Sequence, residues 1–292
     1  MLLNRILGLG EDESVFLAEE SLQDLLDLPI TTQILLDGLD ADDCIEIQKF
    51  GLALHLFEPT EFWLLLTDKY SQNRVLEDQI GKLNAKNCRV VQPNDCDFFS
   101  CLMEYYATSL ASELFCDGCG VIGEPAYVET RIERLVSLLK PIIPEDGNIL
   151  EVCCGNGMAT QALHRLGQHP LSMDSDCCDL CQALKCGLMD PKSCFVLDAR
   201  LLPQFLSPQS FPTVLGFMMG LINDFNWPLW RDILLKAAAL AKEQILFTVY
   251  TKKEAELIAK ALGEAGWVGD VIDNRDSFGI YDQWAYLATI DR

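Results

Sequence analysis

Apolar and polar residues follow two different rhythms along this chain. In the first part, Ile45 and Ile47 alternate with other residues, and residues 52–56 alternate in the same way. A period of two residues is typical of strands with one buried face. The first part is therefore predicted to contain a half-buried sheet, to which the apolar run 62–66 adds a strand.

Helical spacing flanks these strands. The leucines within residues 22–26 share one helical face, and this helix is expected to end at Pro29, because proline cannot continue a helix. A longer helix is predicted over residues 97–115, with Asp95 or Asp97 as its N-cap. The first part is thus expected to be an α+β unit.

In the second part, short apolar segments alternate with segments of helical spacing. The predicted strands are 149–153, 170–174, 194–198, 213–217, 244–250, 267–273 and 284–290, and the helices include 158–166, 177–186, 229–241 and 253–264. This alternation predicts an α/β fold, with a Rossmann-like, doubly wound, mostly parallel sheet of seven strands. The expected domains are an N-terminal α+β accessory domain, 1–120, and an α/β domain, 121–292.

Charge separates the two parts as well. The chain has 22 basic and 44 acidic residues, a formal net charge of −22. Residues 1–130 hold 7 basic and 24 acidic side chains, whereas residues 131–292 hold 15 and 20. This charge argues against nucleic acid or an anionic membrane surface as a partner, and the acidic first part favours a cationic partner.

No segment predicts export or membrane insertion. The start, residues 1–10, has one arginine and a short apolar run and then becomes acidic, unlike a secretory leader. The longest uncharged stretch, residues 201–223, contains three prolines. The protein is expected to be soluble and cytoplasmic.

Cysteine is abundant, with 13 residues. An odd number that includes adjacent pairs is a poor disulfide framework, so a reduced chain is expected, with most thiols as buried apolar filler. The spacing Cys116-x-x-Cys119 leaves a second interpretation open, a structural metal held together with Cys88, Cys96 or Cys101. No metal ligand is assigned.

The most informative segment is a short apolar strand that leads into a glycine-rich turn and then a helix. The strand 149–152 carries an acid, Glu151, near its end, and the turn follows as Cys153-Cys154-Gly155-Asn156-Gly157. Glycines permit unusual backbone angles and let a ligand approach the backbone. A dinucleotide fingerprint would need a third glycine where Thr160 stands, so that interpretation is weak.

This segment resembles the class I S-adenosylmethionine-dependent methyltransferase superfamily. The family pattern is two apolar residues, an acid and a turn written G-x-G-x-G, and Cys153 occupies the place of the first glycine. In this family the turn packs against the amino-acid part of the cofactor. The resemblance implies that Glu151, Cys153, Gly155, Asn156 and Gly157 belong to a site for S-adenosyl-L-methionine.

Two further acids fall where the resemblance requires them. Asp174 ends the second predicted strand, 23 residues after Glu151, and Asp198 ends the third, 24 residues later. The family uses the first to accept both ribose hydroxyls and the second to accept the adenine amino group, which suits carboxylates because each can accept several hydrogen bonds.

Weaker matches extend the resemblance over residues 126–292. Pro212 stands where the fourth strand often has an aspartate, and the last two predicted strands resemble the antiparallel pair frequent in this family. Relatives often use a tyrosine before the first strand to cover the cofactor and an arginine there to hold its carboxylate. The resemblance therefore implies further cofactor contacts from five residues: Ser175, Ala199, Phe217, Tyr127 and Arg131. A solvated helix face remains the alternative for Tyr127 and Arg131.

Acceptor-facing residues are expected in the loop after the fourth strand. Asn223 and Asp224 are candidate polar contacts for catalysis, and Trp227 is a candidate wall. The alternative is that Asp224 or Asn226 caps the following helix. The loop lacks the Asn-Pro-Pro-Tyr arrangement of relatives that methylate nucleobases or glutamine.

These residues favour a methyltransferase that acts on a protein side chain or a small molecule, and a cationic acceptor would suit the acidic first part. Two alternatives stay open. One is aminopropyl transfer to a polyamine, although the loop after the fourth strand lacks an acidic pair. The other is a non-catalytic scaffold that binds a partner protein, which the off-pattern residues Cys153 and Pro212 favour. The oligomeric state is left open.

Overall fold

The computed structural model describes residues 2–57, 59–76, 84–112, 128–144, 147–277 and 279–290. The chain divides into two compact units, Met1–Phe115 and Cys116–Arg292. Each unit has its own sheet and its own apolar core.

The first unit is built on a five-stranded sheet. Its strands are β1 (Val15–Leu17), β2 (Asp40–Ile47), β3 (Gly51–Leu56), β4 (Phe62–Thr67) and β5 (Asn84–Val91), in the order β1-β4-β3-β2-β5. The two outer pairs are parallel and the two inner pairs antiparallel. The described helices are α1 (Leu2–Leu7), α2 (Pro29–Asp37) and α3 (Asp95–Ala111), with a short 3-10 helix at Gln23–Leu26. One face of the sheet buries leucines against α2.

Two helix boundaries in this unit differ from the sequence expectations. Pro29 begins α2 instead of ending a helix, because the first turn of a helix offers no partner for the N–H that proline lacks. Leu28 has a left-handed φ of 52°, which separates α2 from the preceding 3-10 helix. The N-cap of α3 is Asn94, whose side chain accepts from the N–H of Asp97, so neither Asp95 nor Asp97 fills that position.

A disulfide joins Cys44 on β2 to Cys88 on β5. The two residues are register partners on neighbouring strands, and their Cα atoms lie 4.5 Å apart, within the range that a disulfide needs. The expectation of a fully reduced chain is therefore wrong at this pair. Spacing along the chain carries no sign that two residues 44 positions apart become neighbours in a sheet.

The second unit is built on a seven-stranded sheet. Its strands are β6 (Ile149–Val152), β7 (Leu171–Asp174), β8 (Cys194–Val196), β9 (Phe211–Gly216), β10 (Ala241–Val249), β11 (Trp267–Asp273) and β12 (Trp284–Ile290). The helices are α4 (Glu129–Leu139), α5 (Thr160–Arg165), α6 (Cys177–Lys185), α7 (Leu202–Phe205), α8 (Trp227–Ala238) and α9 (Lys252–Glu264), with a 3-10 helix at Ala199–Leu201. The strand order is β11-β12-β10-β9-β6-β7-β8.

The order of strands reverses at β6. The chain continues from β6 to β7 on one side, and later places β9 on the other side. In open α/β sheets, ligands bind beyond the carboxyl ends of the strands at such a reversal. Among the described strands of this sheet, β12 runs antiparallel to both of its neighbours, β10 and β11, and the other pairs are parallel. The expectation of a mostly parallel, Rossmann-like α/β sheet is confirmed.

One apolar cluster of the second unit lies between this sheet and α4 and α5. It contains Ile132 and Leu135 of α4, Leu163 of α5, and Leu215 and Leu246 of the central strands. None of the helices in the described ranges combines enough length with enough apolar residues for a transmembrane span.

Candidate functional site

A cavity of about 520 Å³ lies at the carboxyl ends of the central strands of the second unit. This volume falls within the range of about 300–1,000 Å³ that is typical of small-molecule sites. The cavity is lined from the loops after β6, β7, β8 and β9 and from α8, by Cys153, Gly155, Met173, Asp174, Ser175, Asp198, Ala199, Arg200, Met218, Met219, Gly220, Leu229, Trp230 and Ile233.

Asp174 joins the tip of β7 to the glycine turn after β6. One of its carboxylate oxygens accepts from the N–H of Gly155 at 2.7 Å, and the other accepts from the N–H of Asp176 at 2.9 Å. A carboxylate offers about four lone-pair sites, two on each oxygen. Because each oxygen of Asp174 already accepts one N–H, each keeps one lone pair for a ligand. Asp174 therefore shapes the turn and remains able to accept two hydrogen bonds in the cavity.

Three residues of the glycine turn have left-handed backbone angles. Cys153, Gly155 and Gly157 have φ values of 55°, 55° and 79°. The φ of Gly157 favours glycine at this position, and a Cβ there would also lie 3.0 Å from the Cε of Met189. Cys153 and Gly155 line the cavity, whereas Gly157 and Asn156 do not. Burial raises the pKa of the Cys153 thiol, which keeps it protonated at neutral pH.

Glu151 is fully buried near the end of β6 and does not line the cavity. Its Oε2 accepts from the hydroxyls of Thr160 and Ser172, both at 2.8 Å, and its Oε1 has no hydrogen-bond partner among the described residues. Burial raises the pKa of Glu151 to about 7, although the two hydroxyl donors and the nearby charge of Arg131 oppose this rise. A buried acceptor that lacks a partner is uncommon in proteins.

Asp198 lies at the start of the 3-10 helix after β8 and is paired with Arg200. The backbone N–H of Arg200 donates to Asp198 at 2.9 Å, and its guanidinium Nε lies 3.0 and 2.9 Å from the two carboxylate oxygens. The hydrogen bonds from the Arg200 side chain lower the pKa of Asp198, so this carboxyl stays ionised. Arg200 thus covers part of the carboxylate for which the sequence predicts an adenine contact.

The remaining cofactor candidates divide into two groups. Ser175 and Ala199 line the cavity beside the two aspartates. Phe217 is buried in the apolar core instead, and Arg131 forms an ion pair with Asp282, with its Nε 2.7 Å from the carboxylate. Tyr127 lies outside the described residues.

The loop after β9 is held by its own hydrogen bonds. The side-chain oxygen of Asn223 accepts from the N–H groups of Phe225 and Asn226, and the side chain of Asn226 accepts in return from the N–H of Asn223. The resulting turn leaves Phe225 98% exposed. Asn223, Asp224 and Trp227, the predicted acceptor contacts, are not among the described residues that line the cavity. Asn226 precedes α8 without a side-chain capping bond.

Sequence reasoning missed the apolar wall of the cavity. Helix α8 begins at Trp227, two residues before the predicted start at residue 229, and it brings Leu229, Trp230 and Ile233 to the cavity. Ile233 follows Trp230 by three residues and Leu229 by four, and these spacings are the signal that Ile233 shares a helix face with each of them. The paired methionines after β9 complete this wall.

The alternative of a structural metal near Cys116 and Cys119, which the sequence leaves open, gains no support from the described residues. No group of three or more His, Cys, Asp or Glu side chains in the described ranges could hold a metal ion. Cys88, one of the cysteines named in that alternative, is in the disulfide. Cys116 and Cys119 lie outside the described residues.

Comparison with known proteins finds similar solved structures. Magnesium protoporphyrin IX methyltransferase from Synechocystis, with bound S-adenosylmethionine, is 14% identical over 68% of this chain and 98% of that chain, with a TM-score of 0.45. Ribosomal protein L11 methylase from Lactobacillus delbrueckii is 15% identical over 57% and 81%, with a TM-score of 0.43. A possible histamine N-methyltransferase from Thermotoga maritima is 13% identical over 66% and 98%, with a TM-score of 0.37.

No family model and no curated protein matches this sequence. The topology of the second unit is that of a doubly wound parallel sheet that reverses at β6 and ends with the antiparallel strand β12.

Proposed function

We propose that the second unit of this chain is a class I methyltransferase domain and that the chain is an S-adenosylmethionine-dependent methyltransferase that acts on a protein side chain or a small molecule. The observation that carries the proposal is the convergence of Asp174 and Asp198 with the glycine turn on one cavity. The two acids are 24 residues apart in sequence and meet because each follows a parallel strand of the same sheet.

The residues present fit the proposed cofactor. The cavity has the volume of a small-molecule site, and two ionised or hydrogen-bonded carboxylates provide acceptors for hydroxyl and amino groups. Asp174 and Asp198 would hold the nucleoside, and Cys153, Gly155 and Glu151 would lie toward the amino-acid part.

S-adenosylmethionine, when bound, supplies a methyl carbon that is electrophilic because it is attached to a sulfonium sulfur. The apolar side chains of Met218, Met219 and Trp230 exclude water from the cavity. In the proposed complex Asp174 and Asp198 hold the nucleoside, and the Cys153 thiol stays protonated. The described lining residues therefore offer no free general base, which favours an acceptor atom that arrives with an available lone pair.

Neither alternative function is favoured by a specific observation. An aminopropyl transferase would need an acidic pair after β9, and Asp224, the one acid between residues 218 and 226, does not line the cavity. The acidic first unit, which we assign to residues 1–120, is proposed to recognise the methyl acceptor, with its negative charge favouring a cationic one.

Titration calorimetry with S-adenosylmethionine tests the proposal. The wild type should bind, and Asp174→Ala should weaken binding by about 1.5–3 kcal/mol, because a carboxylate that holds both the turn and the ligand is lost. Asp190→Ala is the matched control, since Asp190 also accepts a backbone N–H, from Lys192 at 2.9 Å, but does not line the cavity. Absence of binding at millimolar ligand by the folded wild type would contradict the proposal.

A further inference from the structure

Asp282 is a fully buried acid between β11 and β12 that the sequence pattern does not mark. Its carboxylate accepts from the guanidinium of Arg131 and, at 2.6 Å, from the hydroxyl of Thr248 on β10. Its backbone has a left-handed φ of 52°. An uncommon backbone angle combined with a fully buried and fully partnered carboxylate indicates that the surrounding structure fixes this residue in place.

The hydroxyl of Thr248 connects Asp282 to the cavity. It accepts from the backbone N–H of Met218 at 2.7 Å while it donates to Asp282. A threonine hydroxyl has one proton and a carboxylate only accepts, so the direction of this chain of hydrogen bonds is fixed. Each bond polarises the next, which strengthens the pair in a buried setting. The N–H of Asp282 also lies 2.8 Å from the sulfur of Met218.

Met218 is the residue that this network fixes. It lines the cavity, it follows β9 closely, and its φ of 53° is left-handed. Residues other than glycine rarely adopt this conformation without support, because their Cβ approaches the following carbonyl oxygen. The position of Met218 therefore depends on the partners of its backbone N–H and of its sulfur.

We infer that Asp282 is a positioning residue for the cofactor cavity, which acts through Thr248 on Met218. The expected effect on cofactor affinity rests on the proposed function. The positioning of Met218 rests on the hydrogen-bond network alone. In this proposal Asp282 contacts neither the cofactor nor the methyl acceptor. It fixes Met218, which forms part of the cavity wall.

Substitutions at Thr248 separate positioning from general stability. Thr248→Val keeps the side-chain shape but leaves the Met218 N–H without its acceptor, whereas Thr248→Ser keeps the hydroxyl. In calorimetry with S-adenosylhomocysteine, the valine variant should lose roughly tenfold in affinity, about 1.4 kcal/mol, and the serine variant less than threefold. Thr213→Val is the matched control, because Thr213 is also a buried strand threonine, hydrogen-bonded to Gln244 at 2.8 Å away from the cavity.

Substitutions at Asp282 provide an independent test if Thr248→Val does not fold. Glycine and asparagine both tolerate the left-handed angle. Asp282→Gly removes the acceptor for Thr248 and should lower the affinity roughly tenfold, whereas Asp282→Asn keeps an acceptor oxygen and should stay within about threefold. The inference would be overturned if the Thr248 and Asp282 variants lowered the melting temperature without changing the affinity. It would also be overturned if Thr213→Val lost as much affinity as Thr248→Val.

A second measurement does not require cofactor binding. In protein labelled with ¹³C at the methionine methyl groups, the Met218 signal, assigned with Met218→Leu, should shift in Thr248→Val and in Asp282→Gly but not in Thr213→Val. An unchanged Met218 signal in both variants overturns the positioning role. A shifted signal in a protein that binds no S-adenosylhomocysteine supports the positioning of Met218 and contradicts the proposed function instead.

Discussion

The guanidinium of Arg200 lies across the carboxylate of Asp198, with Nε 3.0 and 2.9 Å from its two oxygens. Both residues line the proposed cofactor cavity. Arg200 thus occupies lone pairs of Asp198 that a bound nucleoside would use. When a nucleoside binds, Arg200 must move away or donate to the same carboxylate beside it.

Removal of Arg200 should therefore not weaken cofactor binding. We expect Arg200→Ala to leave the affinity for S-adenosylmethionine unchanged or to raise it by up to about threefold, because an exposed ion pair contributes little. Asp198→Ala should lower the affinity roughly tenfold, because the acceptor itself is lost. Arg275→Ala is the matched control: Arg275 pairs with Asp273 in the same local geometry but does not line the cavity. A large loss in Arg200→Ala alone would show that Arg200 itself holds the ligand.

The second prediction concerns the pH dependence that Glu151 imposes. Burial raises its pKa from 4.5 to about 7, so between these pH values the folded protein holds a proton that the unfolded chain releases. The free energy of unfolding should therefore fall as the pH rises through this window. Glu151→Gln should remove this dependence and be more stable than the wild type at pH 8 by on the order of 2 kcal/mol, with a small difference at pH 5.

Urea denaturation at both pH values, followed by tryptophan fluorescence, measures this difference. Four of the five tryptophans lie in residues 227–284, so the signal reports mainly on the second unit. Parallel pH profiles for wild type and variant would show that Glu151 titrates normally.

The third prediction follows from the left-handed angle of Cys153. Glycine adopts φ near 55° without the steric cost that a Cβ adds, so Cys153→Gly should raise the free energy of unfolding by about 1 kcal/mol. Because the side chain of Cys153 lines the cavity, the variant should bind S-adenosylmethionine at least as tightly as the wild type. Gln209→Gly is the matched control, because Gln209 has a φ of 54° and does not line the cavity. This variant should gain stability without any change in affinity. A destabilised Cys153→Gly would mean that packing of the thiol outweighs the backbone strain.

The fourth prediction concerns the disulfide of the first unit. The bridge closes a loop across a separation of 44 residues, for which the chain-entropy relation gives about 4 kcal/mol. Cys88→Ser should lower the melting temperature of this unit, whereas Cys96→Ser should not, because Cys96 is an exposed, free cysteine. Peptide mapping without reductant should find residues 44 and 88 on linked peptides. Alkylation of both thiols in untreated protein would disprove the bridge.

Much of the fold of the second unit is predictable because its strands are short apolar segments at regular intervals. The predicted strands 267–273 and 284–290 coincide with β11 and β12. The first unit is harder, because a proline is compatible with either end of a helix. Pro29 begins α2 only because Leu28 adopts a left-handed angle, which no pattern of apolar residues reveals.

The candidate site is predictable where residues directly follow a strand. Asp174, Ser175 and Asp198 reach the cavity because parallel strands end at one edge of the sheet. Residues brought in by helix register or by distant loops are not predictable in this way. The position of Trp230 at the cavity depends on where α8 begins. Asp282 pairs with Arg131, which lies 151 residues away in sequence.

The turn that exposes Phe225 has a consequence for the colloidal behaviour of the protein. A nearly bare phenyl ring, with Leu221 63% exposed in the same loop, is a surface on which two molecules can associate. The net charge of −22 opposes such encounters, but its range shrinks from about 30 Å at 0.01 M salt to about 8 Å at 0.15 M. We therefore expect higher ionic strength to weaken the repulsion that opposes contact between two such loops.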